Sequence, residues 1–422
     1  MDFQSIPPSP FTPRLPHPPL PPSTTTNTLG ILSSHLFPSL TLHTTLSLAA
    51  YSAGRFTNRL DAKDLLWPSA FVGNVWYHGV VWPYMTGRGR GAWEFIREMG
   101  YGNKLILTGV TVWGCRLFWK VFWRIKGRER DDGRYERYRE VVRRKKGKGD
   151  LEKAVVIDEG EVEREMWNKA FIGIFLPEAF VQSFVSLGWC GVGYSRPVLG
   201  HHGQHYFGGN DSPGGLEVLL HHGDGLQSGG SGGGWRRWVH GIAVGVFAAG
   251  LALGILADSQ LGKGKKADKG SIVRKGVWSI VRHPNYLGDF LVHLSFPLMA
   301  LADGVFDPIM FVGPLANYIS LRFIGGDKEN ERYQMEKYEK ESVRKYEEYK
   351  QWKREKNSFW PGIGEVGNLW TWAVVGIGGL AAVGERVGYI EMGEWSFDVP
   401  IATTTASTTT IYPYDINNSE VL

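Results

Sequence analysis

Gly276-Val277-Trp278-Ser279-Ile280-Val281-Arg282-His283-Pro284-Asn285-Tyr286-Leu287-Gly288-Asp289 is the stretch on which the reading of the chain turns. Proline disfavours helical geometry in the residue before it and suits the first turn of a helix, so Pro284 predicts a helix starting beside it. Arg282, His283, Asn285 and Tyr286 then crowd the mouth of that helix, where backbone N–H groups point outward and the dipole favours anions. An arginine, an imidazole, an amide and a phenol in one such place suit a phosphorylated cofactor. Upstream lies a glycine-punctuated basic run (Lys263, Lys265, Lys266, Lys269, Arg274, Lys275), and downstream a long apolar stretch. On its own that run is a basic anchor at a membrane surface. The compact Arg-His-Pro-Asn-Tyr cluster adds a site to it.

Outward from this stretch, apolar blocks alternate with very polar ones through all 422 residues, and the mean hydropathy of −0.20 conceals that segregation. Blocks at 30–52, 65–86, 103–123, 168–192 and 238–257 read as membrane helices, and 286–302 with 308–324 as two shorter ones joined by a turn. Aromatic residues near their ends, such as Trp76, Tyr77, Trp82 and Tyr84, fit membrane interfaces. The formal net charge of +5 sits between the blocks, as membrane flanks do, and no nucleic-acid-binding motif accompanies it. Cys115 and Cys190, each in an apolar run, exclude a disulfide framework and a cysteine-based zinc site. If the blocks alternate direction, the basic segments 124–148, 262–283 and 322–356 share one side, which the positive-inside rule makes cytosolic.

The polar segments are read as follows. Residues 1–28, rich in Pro, Ser and Thr, form a disordered arm, and Thr403–Thr405 with Thr408–Thr410 open a disordered tail. Residues 124–166 and 193–234 are insertion loops, the first ending in an acidic solvated run at 150–166. In the second, Glu217, His221 and Asp224 share helical spacing, but the surrounding glycines favour a flexible loop over a metal site. Residues 327–356 are a polar helix ending at Pro361, and 363–390 form an apolar hairpin or an extra span. Two ionisable residues lie inside apolar blocks, Arg116 and Glu178; such residues are costly in a membrane and are functional candidates. The fold class is therefore all-α: a polytopic transmembrane bundle of about six to eight membrane helices with disordered tails.

The pattern Gly276-x-Trp278-x-x-x-Arg282-His283-Pro284-Asn285-Tyr286-x-Gly288-Asp289 resembles the signature of the steroid 5-alpha-reductase C-terminal superfamily, and within it a fungal form of the DUF1295 group. The short charged loop from Tyr51 to Pro68, the element Asp131-Asp132-Gly133-Arg134-Tyr135, Ala257-Asp258-Ser259-Gln260-Leu261 and the acidic, tyrosine-bearing terminal helix are similar to family elements as well. The resemblance covers roughly residues 45–361 and is strongest over 255–290. It implies a reductase-like membrane domain over 29–361, with the cofactor segment at 255–290 and an added tail over 362–422. It also implies that NADPH is held by Asp258, Arg274, Arg282, His283, Asn285, Tyr286, Asp289 and Arg322. Where relatives carry Glu, this chain has Asp289, a methylene shorter.

Three functions follow. The first is NADPH-dependent reduction of a C=C bond in a steroid- or lipid-like substrate, a role in lipid metabolism at the endoplasmic reticulum membrane with the cofactor side facing the cytosol. It needs cations for phosphate and an acid to balance hydride transfer. Tyr286, Glu178 and Tyr77 are the candidate proton donors. Partners would be the bilayer and a hydrophobic small molecule, without metal or nucleic acid. The second is an S-adenosylmethionine-dependent methyltransferase resembling the isoprenylcysteine type, which shares Arg-His-Pro-x-Tyr and a terminal-helix Glu, here Glu329 or Glu331. Asn285 and the Ala-Asp-x-Gln-Leu element favour the reductase. The third is a non-catalytic membrane protein of the same fold. A Rossmann glycine fingerprint is absent from the sequence, which speaks against a soluble dehydrogenase domain.

Overall fold

Proline shapes three of the membrane helices. A proline ring inside a helix clashes with the carbonyl four residues earlier and offers no N–H. Pro38, Pro83 and Pro177 each open a helical segment directly after a wide π-turn, at Leu32–Leu36, Tyr77–Val81 and Phe171–Phe175. Each turn contains the residue four positions before its proline, so widening the coil there relieves the clash and the helix runs on. The helix accordingly runs on through Pro177 and Glu178.

The computed structural model of the protein describes residues 28–86, 91–129, 131–150, 159–193, 234–268, 271–304 and 306–395. Among these the secondary structure is helical throughout, with no strand. The principal helices are α1 (Phe37–Thr57), α2 (Lys63–Trp76), α3 (Tyr101–Lys126), α4 (Gly133–Asp150), α5 (Glu159–Ala170), α6 (Leu176–Val185), α7 (Gly234–Ala267), α8 (Pro284–Asp303), α9 (Val312–Ile319), α10 (Asp327–Glu341), α11 (Val343–Glu355) and α12 (Leu369–Trp395). Among the described residues four helical runs, Tyr101–Lys126, Glu159–Val192, Gly234–Ala267 and Pro308–Glu341, are long and apolar enough to cross a bilayer. The chain is an integral membrane protein with an all-α bundle.

One core joins α2, α3 and α8 with the short turn Ser186–Gly193, around Phe71, Trp113, Trp189 and Phe296. A second lies under α11, where Trp278, Tyr349, Trp352 and Phe359 close on α7 and α8. The α7–α8 contact is backbone to backbone. A methyl added at Gly288 would sit 2.6 Å from the Gly250 carbonyl oxygen and 2.9 Å from the Gly254 nitrogen, so only glycine permits this approach.

Several expectations change. The polar helix over 327–356 is two helices, broken where Ser342 is extended (φ −168°), and α11 folds back so that Tyr349 meets Tyr338 at 5.4 Å. The insertion over 124–166 is not a loop: 124–126 complete α3, and α4 and α5 follow. The acidic run is not wholly solvated, because Val162, Met166 and Trp167 recur on one face of α5 and bury beside Tyr135 and Leu60. Residues 369–395 are one helix rather than a hairpin. It lies on α7, and its Glu385 accepts from Tyr101 Oη (2.6 Å) and meets His240 Nε2 (3.0 Å). The arm over 1–27, the tail from 396 and the Glu217, His221 and Asp224 group fall outside the described residues.

Candidate functional site

The start of α8 is where sequence and structure meet. His283 is non-helical (φ −130°, ψ 65°) and Pro284 occupies the first turn. The Arg282 and His283 N–H groups donate to the carbonyls of Asn357 (2.9 Å) and Ser358 (3.0 Å), so the chain after α11 lies along this entry. Side chains reinforce the contact. Glu331 of α10 accepts from Arg282 Nε (2.9 Å), lies 2.8 Å from Arg282 Nη2, and meets His283 Nε2 (3.1 Å) and Lys353 Nζ (3.0 Å). Arg282 also donates to the carbonyls of Lys353 (2.9 Å) and Lys356, while Asp327 binds Arg322 and the Ser358 hydroxyl. Arg274 turns to the Glu348 carbonyl. Arg274, Arg282, His283 and Arg322 thus all bind protein groups, and Arg282 and His283 fasten α10 and α11 against the start of α8.

Deeper along α8 the character changes. Asn285, Asp289 and His293 stand four residues apart and so share one face. Asp289 accepts from the Trp113 indole N–H (2.9 Å) and the Asn317 amide (3.1 Å), and lies 3.9 Å from His293 Nε2. Three side chains of this seam retain four buried polar atoms with no partner among the described residues: Asn285 Oδ1, Asn317 Oδ1, and both ring nitrogens of His293. Buried polar groups are nearly always hydrogen-bonded, so such a concentration marks a place for ligand atoms. Aromatic rings enclose His293: Trp113 at 4.9 Å, Phe71 at 5.6 Å and Trp189 at 5.8 Å.

Across the seam α3 presents Arg116, Lys120 and Arg124, again four apart. Arg116 and Lys120 bind Asp258 of α7, and both are within electrostatic reach of Asp289. Arg124 (2.6 Å), Arg134 (3.2 Å) and the Tyr135 hydroxyl (2.6 Å) converge on Asp64, whose neighbour Lys63 binds Glu178 at 2.7 Å. At the rim Asp132 binds Arg128 and Arg134, and Lys265 faces Asp132 and Arg128. Burial alone would raise the Asp132 carboxyl, but Arg134, Arg128 and the Arg134 N–H hold it below the usual carboxylate range. Burial and Asp64 push the Tyr135 phenol up against the opposing Lys63 and Arg134, so it stays a donor. Lys63, Arg116, Lys120, Arg124, Arg128, Arg134 and Lys265 thus face Asp64, Asp132, Asp258, Asp289 and Glu178, seven cations to five carboxylates. Such an excess of positive charge favours an anion.

Residues 226–353 match the family described as protein of unknown function, DUF1295. The DUF1295 segment takes in α7 through most of α11, and with it every residue expected to hold a cofactor. No curated protein and no solved structure matches the chain. Within the segment the expected residues divide. Asp258, Asn285 and Asp289 line the seam, whereas Arg274, Arg282, His283 and Arg322 form the fastening. Tyr286 lies between, stacked on His283 at 5.3 Å and bonded to Asn330, with Arg134 and Asp64 in electrostatic reach.

The three candidate proton donors are not brought together. Tyr286 is at the rim and Glu178 pairs with Lys63. Tyr77 is half-buried, with its ring against His78 (5.1 Å) and Trp82 (6.1 Å). Sequence reasoning missed Trp113, Lys120, His293 and Asn317. The period-four cations of α3 and a histidine four residues after Asp289 were the available signals. An open cleft of about 840 Å³ lies elsewhere, between α4, α5 and α10. Its Arg137, Arg143 and Arg144 already pair with Glu336, Glu159 and Glu140, so the seam is the better candidate.

Proposed function

We propose that this DUF1295 membrane protein is an NADPH-dependent reductase of a C=C bond in a lipid-like substrate. The observation that carries the reading is the α8 seam: unmatched amide and imidazole atoms at Asn285, His293 and Asn317 beside Asp289, next to a rim with surplus positive charge. These residues fit the group. Amides suit a nicotinamide carboxamide, and Arg116, Lys120 and Arg124, already aligned by Asp258 and Asp64, suit phosphates. When bound, NADPH supplies a hydride.

The chain's own residues do the rest. Asp289, fixed by Trp113 and Asn317, orients the facing His293. With two free ring nitrogens, His293 is equipped to hold a proton and pass it to the substrate carbon or carbonyl. The enclosing Trp113, Phe71 and Trp189 rings keep water from that nitrogen. Arg282 and His283 act at one remove, by binding Glu331 and so holding the mouth of α8 in place.

The test uses protein purified in detergent, with thermal stability measured in NADPH, NADH and S-adenosylmethionine. A ligand at a hundred times its dissociation constant adds about 2.7 kcal/mol. Stabilisation by NADPH that Asn285→Ala abolishes is the expected result. Stabilisation by S-adenosylmethionine alone would make the protein a methyltransferase of the isoprenylcysteine kind, and no response to any of the three would leave a non-catalytic membrane protein.

A further inference from the structure

The N-terminal half holds a second polar cluster, outside the DUF1295 segment. His35, Ser39, His43, Asn74, His78 and Gln182 are each at most 5% exposed, inside a membrane bundle where polar side chains are costly. Hydrogen-bond chemistry gives each contact a direction. The Trp189 indole N–H only donates, and Asn74 Oδ1 accepts it at 3.0 Å. Asn74 Nδ2 therefore donates to Ser39 Oγ (2.9 Å), which is also hydrogen-bonded to His78 Nε2 (2.9 Å).

A second line fixes His43. Glu178, held by Lys63, is the acceptor for Gln182 Nε2 at 3.4 Å. Gln182 thereby turns its oxygen to His43 Nδ1 (3.1 Å), so the proton of the neutral ring sits on Nδ1. His43 Nε2 is left as a bare lone pair, without a partner among the described residues, in a side chain with no exposure at all.

We propose that His43 Nε2 accepts a hydrogen bond from the hydroxyl of a membrane-soluble alcohol bound within the N-terminal half. The nitrogen is an acceptor, so the ligand group must donate. The Phe71 ring stands edge-on to His43 at 5.7 Å and the bundle lies in a membrane, so the body of the ligand is hydrocarbon. Phe71 also packs against His293 at 5.6 Å and so stands between His43 and the seam. Calling the alcohol a substrate rests on the reductase reading, whereas its binding at His43 does not.

The experiment titrates the full chain in detergent with cholesterol, farnesol and hexadecanol, each against the hydrocarbon of the same skeleton. Binding is read by thermal shift and by the side-chain ¹⁵N signals of labelled histidine. At least one alcohol is expected to bind tenfold or more tightly than its hydrocarbon, and to shift the ring-nitrogen signal that His43→Gln removes. His43→Phe should erase the preference, and His43→Gln, which restores an acceptor, should keep part of it. NADPH stabilisation, measured on the same samples, should be unchanged in both variants and reports that they are folded. Alcohol preference without an NADPH response defeats the reductase reading and leaves this inference standing. No preference for any alcohol, or a preference that survives His43→Phe, overturns it.

Discussion

Removing the Glu331 carboxylate strands three basic groups at once. Arg282 and Glu331 are 7% and 6% exposed, and breaking a buried pair by removing one partner costs about 3–5 kcal/mol. Glu331→Gln is expected to lose stability of that order in chemical denaturation. A loss below about 1 kcal/mol would contradict the fastening role. Asn285→Ala should behave in the opposite way. Its oxygen bonds nothing, so stability should change by less than about 1 kcal/mol while the NADPH shift disappears. Asp132 adds a pH signature. Its folded-state pKa is depressed, so its contribution is complete above about pH 4–5 and fades as the pH falls further. The difference in melting temperature between wild type and Asp132→Asn should therefore narrow from pH 7 to pH 3. A constant gap would show that Arg128 and Arg134 do not act through this carboxylate.

At the scale of helices, the α7–α8 contact has no slack. Gly288→Val places a branched side chain against the Gly250 carbonyl and should cost at least about 1–3 kcal/mol, as overpacking does, measured by thermal melting. An unchanged melt would mean the two helices stand further apart. Which helices form was largely legible from apolar block lengths, and Pro284 correctly placed the start of α8. What Arg282 and His283 do was not legible, because their partner Glu331 lies some fifty positions away in a helix that reads as solvated. Arg116 was recognisable as a costly intramembrane charge, but its partner Asp258 is far off in sequence and was assigned to the cofactor. The break at Ser342 had no local signal such as Gly or Pro. The π-turns were missed because a proline in an apolar run reads as an interruption, whereas the coil widens to absorb it.

For the whole molecule, α12 lies beyond both the family match and the seam. It rests on α7, where a methyl on Gly378 would come 2.5 Å from the Gly245 carbonyl, and Glu385 ties it to Tyr101 and His240. A chain lacking 369–422 should keep its NADPH stabilisation and melt about 2–5 °C lower, since a few hydrogen bonds are lost and the uncovered face meets lipid. Loss of the nucleotide response would draw α12 into the site. The entry to α8 has a different consequence. Its two N–H groups are satisfied by Asn357 and Ser358, which the ribosome adds more than seventy residues later. During biosynthesis the inserted bundle must wait, its binding surface unfinished, until that late segment emerges and docks. A message truncated shortly before that codon would yield a protein that enters the membrane yet leaves the mouth of α8 unclosed.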